Sequence, residues 1–181
     1  MIPVKYKYLE KEGAPKMLVE ALKLVGTTEV PGSKSNPIIV GWAKEVGADV
    51  AKVYLADETP WCGLAHAVVA LRAGKGPVKD PLWALNWGNF GDYSPVPMLG
   101  DTLVFVRRTS DGKRAGHVGL YVGEDATTYH VLGGNQGDTY GFTRISKNRL
   151  YTARRPKYST PPQNIRRIIL KADGTISNNE Q

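Results

Sequence analysis

The order in which two hydrophobic patterns follow each other constrains the fold of this chain most. Apolar residues recur at helical spacing in residues 14–25, 37–46 and 61–72, and a glycine follows each stretch within two residues. The second half changes to short strand-like segments at residues 101–107, 116–122, 127–132, 139–145 and 150–154, each bounded by turn residues. Helices that precede strands, instead of alternating with them, predict an α+β domain with N-terminal helices packed on an antiparallel sheet.

The length of 181 residues is that of one domain. We expect an N-terminal segment at 1–13, a main domain at 14–156 and a basic tail at 157–181 that either adds a strand or stays mobile. In the long connection between the helices and the sheet, Trp83 and Trp87 lie four residues apart, which indicates a short helical turn.

The charge of the chain favours an anionic partner. The sequence has 24 Lys and Arg against 17 Asp and Glu, a net charge of +7. Nucleic acid, an acidic membrane surface and an anionic cell-wall polymer are all compatible with that charge. The apolar stretches are far shorter than the ~20 residues of a membrane-spanning helix, and residues 1–8 have no apolar region of a signal peptide. We therefore expect neither a membrane span nor classical export.

The single cysteine, Cys62, is the first candidate for chemistry. One cysteine excludes an intramolecular disulfide and a multi-cysteine zinc site. Asp57 and Pro60 are typical of a helix start, which places Cys62 at the N-terminus of a helix, where free N–H groups stabilise a thiolate. Cys62 is either a small buried apolar residue or a nucleophile, and its partners decide between the two.

Three histidines could serve as a general base: His66, His117 and His130. His117 is the strongest candidate because glycines flank it at the start of an apolar strand and leave room for a substrate; the alternative is a strand-edge histidine that faces water. His66 shares a helix face with Cys62, and a packing role is expected for it.

Two residues compete to orient the imidazole of His117 through its second nitrogen. Asn135 ends the following strand and could accept a hydrogen bond from the ring, as in the triads of cysteine proteases. If the hairpin turn lies at residues 123–126, His117 falls opposite Leu132, and strand alternation puts His130 on its face instead. Both residues stay candidates.

Several ordered motifs resemble the NlpC-type and CHAP-type cysteine peptidases of the papain-like superfamily. They are Pro-Trp-Cys at 60–62, Gly-Asp-Thr-Leu-Val-Phe at 100–105, Gly-His-Val-Gly at 116–119 and Gly-Gly-Asn-Gln at 133–136. The resemblance covers residues 14–156 and is strongest for the branch that lyses bacterial cell walls. It implies a papain-like fold, with Cys62 as nucleophile, His117 as base and Asn135 as the third residue; His130 is the alternative, since NlpC-type members often have a histidine there.

The resemblance also implies a function. We expect a peptidoglycan hydrolase, an amidase or an endopeptidase, that forms an acyl-enzyme, acts on the bacterial cell wall as a monomer, and is a phage lysin released during lysis or secreted by a non-classical route. No metal or other cofactor is expected. The alternatives are a non-catalytic module that binds peptidoglycan or nucleic acid, and acyl transfer by the same Cys–His pair.

Overall fold

The computed structural model describes residues 1–32, 34–108 and 112–178. Within these residues, four α-helices occupy the first half: α1 (Lys16–Leu22), α2 (Pro37–Val46), α3 (Ala48–Val53) and α4 (Cys62–Arg72). Short 3₁₀ helices span Val4–Lys11, Ala84–Asn89 and Lys147–Arg149. The described part of the second half has six strands: β1 (Asp92–Tyr93), β2 (Thr102–Arg108), β3 (Arg114–Glu124), β4 (Thr128–Gly133), β5 (Gly141–Ser146) and β6 (Leu150–Arg155).

The strands form one antiparallel sheet in the order β1-β6-β2-β3-β4-β5. The expectation of an α+β domain with helices first and an antiparallel sheet second is therefore confirmed. The five predicted strands correspond to β2 through β6, and the predicted helical turn near Trp83 and Trp87 is the 3₁₀ helix Ala84–Asn89.

Helix α4 is the central helix of the domain. Its residues Cys62 through Ala70 are all buried, and it packs against α1, α2 and β3. A helix that is apolar on every side must be covered on every side, which explains this position. Gly63 allows one of these contacts, because a Cβ atom there would lie 2.6 Å from the carbonyl oxygen of Leu82.

The helices differ from the sequence-based prediction in two ways. Helix α1 covers Lys16–Leu22, shorter than the predicted 14–25, because Pro15 precedes its first turn and residues 23–26 form tighter turns. Helix α3 was not predicted: it has six residues and buries none of them, so it leaves no apolar periodicity in the sequence.

Both ends of the chain contact the sheet. In the N-terminal segment, Leu9 is fully buried and the hydroxyl of Tyr8 donates to the carbonyl of Val122. In the C-terminal segment, the Leu170 N–H donates to the carbonyl of Glu124 at 2.8 Å, and the preceding residue, Ile169, pairs with Glu124 as an isolated parallel bridge. Among the described residues, no helix has the length and apolar composition needed to cross a membrane.

Candidate active site

Cys62 is the first residue of α4 and lies almost fully buried. The residue before it, Trp61, occupies the N-cap position without capping the helix through its side chain, since an indole N–H is only a donor. The N–H groups of the first helical turn therefore have no side-chain acceptor from the N-cap. Such a helix start stabilises negative charge on a thiolate or on a developing oxyanion beside it.

Trp61 fixes the start of α4 in the core. Its indole Nε1 donates to Oε1 of Glu29 at 2.5 Å, and its ring centroid lies 5.9 Å from that of Trp42. Gly134, in the loop after β4, lies against the same ring: a Cβ atom at this position would be 2.7 Å from it. The loop that follows β4 thus touches the helix at the residue next to Cys62.

His117 lies in β3 opposite Phe105 of β2 and is buried. Its Nε2 is 3.0 Å from Oε1 of Gln136, in the loop that Gly134 brings against α4. The structure thus places a carboxamide oxygen against Nε2 of His117, two residues beyond the contact with Trp61.

The hydrogen bonds of Gln136 determine which nitrogen of His117 carries the proton. The amide Nε2 of Gln136 donates to the carbonyl oxygens of Gly141 (2.6 Å) and Val131 (3.3 Å). Its Oε1 must then be the atom that faces His117, and it accepts from the Nε2–H of the ring. In the neutral ring the lone pair is consequently on Nδ1, which is the nitrogen able to act as a base.

One cleft joins the start of α4 to the strand that carries His117. It has a volume of about 350 Å³, and its walls include Pro60, Cys62, Trp83, Arg114 and Gly116. Gly116 directly precedes His117 and packs against Leu85; a Cβ atom there would be 2.8 Å from that side chain. The glycine before His117 therefore shapes this cleft.

His66 has a packing role, as expected from the sequence. Its Nε2 lies 2.9 Å from Oγ1 of Thr102, and its ring packs edge-on against Trp87 with the centroids 4.4 Å apart. Burial, and to a smaller extent the charge of His117, lowers the pKa of His66 to about 3. His66 is therefore neutral at physiological pH and serves the core.

The side chain at Nε2 of His117 is that of Gln136, one position after Asn135, the third residue that the sequence favours. Asn135 has a left-handed backbone, with φ of 56°, and lines a different pocket with Glu29 and Asp138. The chain turns at this position, so that the next residue, Gln136, reaches the ring of His117. The sequence signal for Gln136 was its carboxamide in the Gly-Gly-Asn-Gln run, but a run of two adjacent carboxamides does not show which one faces the histidine.

His130 is also not the partner of His117. The hairpin differs from the predicted one because β3 runs on to Glu124 and has an irregularity between Tyr121 and Gly123, so Leu132 pairs with Leu120 and His130 pairs with Gly123. The ring of His130 is fully buried, and both of its nitrogens are engaged elsewhere: Nδ1 accepts from the hydroxyl of Tyr6 at 2.9 Å, and Nε2 donates to Asp125 at 3.0 Å.

The network around His130 stabilises the β3–β4 hairpin. Asp125 accepts hydrogen bonds from the backbone N–H groups of Thr127 and Thr128, both at 2.9 Å, and from Nη2 of Arg144 at 2.8 Å. Burial alone would raise the pKa of Asp125, but hydrogen bonds from the Thr128 hydroxyl, the Thr127 N–H, Arg144 and His130 outweigh it and hold that pKa far below its usual range. The carboxylate and the guanidinium form a buried ion pair with a structural role.

The tryptophans divide between core and cleft. Trp42, Trp61 and Trp87 are buried, whereas Trp83 is 71% exposed at the edge of the cleft beside Cys62.

Within residues 1–32, 34–108 and 112–178, no three His, Cys, Asp or Glu side chains are grouped closely enough to hold a metal ion.

Comparison with known proteins adds no assignment: no protein-family model matches the chain, and no curated protein matches it.

Proposed function

We propose that this protein is a cysteine hydrolase of papain-like fold that cleaves an amide bond of bacterial peptidoglycan. The observation that supports this most is the arrangement around one cleft. Cys62 begins a buried helix, His117 follows the cleft residue Gly116, and Gln136 holds Nε2 of His117 at 3.0 Å. A nucleophile, a base and an orienting group are the parts that acyl transfer needs.

In the proposed mechanism, Nδ1 of His117 takes the thiol proton and Sγ of Cys62 attacks the carbonyl carbon of the amide. The oxyanion that forms accepts a hydrogen bond from the backbone N–H of Cys62. When the C–N bond breaks, His117 returns the proton to the leaving amine and a thioester remains. Water, deprotonated by His117, then attacks the thioester; the acid is released and the thiol regains its proton.

Peptidoglycan is proposed as the substrate on the resemblance of the sequence motifs and on the charge of +7, which suits an anionic wall. Trp83, exposed beside the cleft, offers a flat apolar surface for a sugar ring or a peptide. A phage lysin that acts as a monomer and reaches the wall during lysis is the biological role we propose.

Digestion of purified peptidoglycan tests the proposal. Wild type, Cys62→Ala and His117→Ala are compared, and the released fragments are read by mass spectrometry. We expect peptides or free amino termini from wild type, with both variants reduced at least about 1,000-fold. The fragment masses then distinguish an amidase from an endopeptidase.

Two further outcomes of this experiment would support the alternative functions, a binding module or acyl transfer. If no form releases fragments although all of them sediment with the wall, the protein is a binding module and the catalytic proposal is wrong. If an added amine acceptor diverts the product into a new amide, the same Cys–His pair carries out acyl transfer instead of hydrolysis.

A further inference from the structure

The cleft beside Cys62 has one basic side chain in its wall, that of Arg114. Of the described residues that line the cleft, Arg114 is the only Lys, Arg, Asp or Glu, and most of the others are apolar. Arg114 is exposed and lies two residues before Gly116 on β3, so both residues are on the face of the strand that borders the cleft. A substrate that reaches this wall therefore meets a guanidinium and no carboxylate.

A second arginine lies directly opposite Arg114. In the pairing of β2 with β3, Arg108 is the partner of Arg114, so the two side chains leave the same face of the sheet. Arg107, the preceding residue of β2, adds a third positive charge at this end of the hairpin. Like charges at directly opposite positions destabilise a sheet, and a bound anion would relieve the repulsion.

Neither arginine of this cross-strand pair has an acidic partner in the described part of the chain. No Asp or Glu there forms an ion pair with Arg108 or Arg114, whereas Arg144 and Arg155 each pair with a buried carboxylate at 2.8 Å. Arg108 donates to the carbonyl oxygen of Gly112 at a long 3.4 Å. The guanidinium donors of Arg114 are therefore available to a ligand.

An aromatic ring holds Arg114 beside the cleft. The guanidinium carbon of Arg114 lies 5.5 Å from the centre of the Tyr151 ring, a cation–π contact. The same ring packs on Gly88, where a Cβ atom would be 3.2 Å from it, and Gly88 belongs to the 3₁₀ helix Ala84–Asn89 that also forms part of the cleft wall. A stacked guanidinium keeps the N–H donors around its edge for a ligand, and its preset position lowers the entropic cost of binding.

The chemistry of this wall suits a carboxylate. A guanidinium binds a carboxylate through two parallel N–H···O hydrogen bonds, which match in geometry as well as in charge. The cleft has one such arginine among mostly apolar side chains, which fits a single carboxylate on a peptide. A polymer of phosphates, in contrast, needs cations repeated along its length.

We propose that Arg114 binds a carboxylate of the substrate beside the amide bond that is cleaved, with Arg108 adding positive charge. The inference rests on the proposed function, because it names the substrate class of the same cleft: peptides with a free carboxylate near the scissile amide. Amidation of that carboxylate removes its charge and replaces one acceptor by a donor. The enzyme therefore distinguishes free from amidated wall peptides.

Binding of a defined peptide to the full-length Cys62→Ala protein tests the proposal. The probe is acetyl-Ala-D-Glu-Lys joined through the glutamate side chain, which has one carboxylate on the glutamate and one at the carboxy terminus. It is used unmodified, amidated at either carboxylate, and amidated at both, and affinity is measured by calorimetry. Amidation of the carboxylate that Arg114 binds should weaken binding about tenfold or more, and the two singly amidated forms identify which carboxylate that is.

Substitutions of Arg114 in the Cys62→Ala background provide the second part of the test. Arg114→Gln should weaken binding of the unmodified peptide about tenfold and leave the doubly amidated peptide unchanged. Arg114→Lys retains the charge without the planar pair of donors and should recover part of the affinity. Lys44→Gln is the matched control, because it removes the same charge from an exposed position of α2 outside the cleft, and it should not change binding. Since Arg114 is exposed, thermal unfolding should be nearly the same in all of these proteins.

Equal affinity for all four peptides, or no binding of any of them, would overturn the proposal. Equal weakening of the free and the doubly amidated peptide by Arg114→Gln would also overturn it. Carboxylate-dependent binding without digestion of peptidoglycan by wild type would leave the carboxylate site assigned and the proposed function wrong. Digestion of walls with free and with amidated peptides at equal rates would support the proposed function and contradict the role of Arg114.

Discussion

Gln136 shows how much of the candidate site depends on the placement of one side chain. Its amide is bonded at both ends, to two backbone carbonyls through Nε2 and to His117 through Oε1. The side chain therefore cannot turn without breaking all three bonds. In this way a loop residue determines the tautomer of an imidazole in a neighbouring strand.

Gln136→Met should lower kcat about 10- to 100-fold, because the ring of His117 loses the acceptor that holds it, a loss of about 1–3 kcal/mol. Gln136→Glu retains an oxygen acceptor and should recover part of the activity. Steady-state kinetics across pH separates the two effects. Gln136→Met should lower kcat at every pH, and Gln136→Glu should shift the pH dependence of kcat. A Met variant with wild-type kcat would contradict the assignment of Gln136.

The lowered pKa of His66 predicts how the stability of the protein depends on pH. Since burial lowers its pKa to about 3, the unfolded chain, with a histidine pKa of about 6.5, binds one more proton between those values. The contribution of His66 to stability is complete above about pH 6.5 and falls as the pH decreases, by about 1.4 kcal/mol per pH unit.

Urea unfolding at pH 7.5, 6.0 and 5.0 measures this dependence in wild type and in His66→Gln. The variant should be less stable at pH 7.5 and should lose less stability between pH 7.5 and 5.0. Carboxylates with lowered pKa, such as Asp125, contribute to the loss of stability only below about pH 4. If the free energy of unfolding falls equally with pH in the two proteins, His66 is not the cause of the pH dependence.

At the scale of elements, helix α4 owes its position to glycines at its closest contacts. Gly63 in the helix lies against the carbonyl groups of Pro81 and Leu82, and Gly134 lies against the ring of Trp61. These contacts place the first turn of α4 between the loop after β4 and the connection that precedes the sheet. The start of the helix, and Cys62 with it, is therefore held by backbone packing.

Gly63→Ala should destabilise the protein by about 1–3 kcal/mol, because the added methyl group collides with backbone carbonyls that cannot move independently. Gly41→Ala is the matched control: Gly41 lies in helix α2 with no atom within 4 Å of an added Cβ, so the change should stabilise by about 0.5–1 kcal/mol. Thermal unfolding of both variants gives the comparison, and equal effects would refute the packing argument.

At the scale of the whole molecule, the C-terminal segment is part of the folded unit. Two arginines of the basic tail, Arg166 and Arg167, pair with Glu12 and Glu124 at 2.6 Å and 2.7 Å. Leu170 packs on Gly123 at the end of β3: a Cβ atom there would be 2.5 Å from its side chain. These pairs weaken the case for a nucleic-acid-binding tail, since the basic side chains already have acidic partners.

Leu170→Ala should lower the free energy of unfolding by about 1–2 kcal/mol. This is less than the loss expected for the same substitution at a fully buried leucine, because the side chain of Leu170 is half-buried. Ile169→Ala, at the neighbouring position that is 69% exposed, should change it by no more than about 0.5 kcal/mol. Urea unfolding compares the two. A protein that tolerates both changes equally would show that the segment does not stabilise the fold.

The sequence by itself determined the order of helices and strands, the helix start at Cys62 and the identity of the strand that carries His117. These features depend on local periodicity, on proline and glycine at helix ends, and on alternation along strands, all of which act over a few residues. The sequence did not predict the short helix α3 or the precise ends of α1, because these segments have no such pattern.

Only the tertiary structure decided which side chains meet. An irregularity of β3 between Tyr121 and Gly123 set the register of the hairpin, and it carried His130 into a network with Asp125 and Tyr6. A left-handed residue at Asn135 turned the loop so that Gln136, one position later, faces His117. Strand register and loop direction are set by packing across the whole domain, and a shift of one residue exchanges the faces of a strand, so the local sequence could not resolve them.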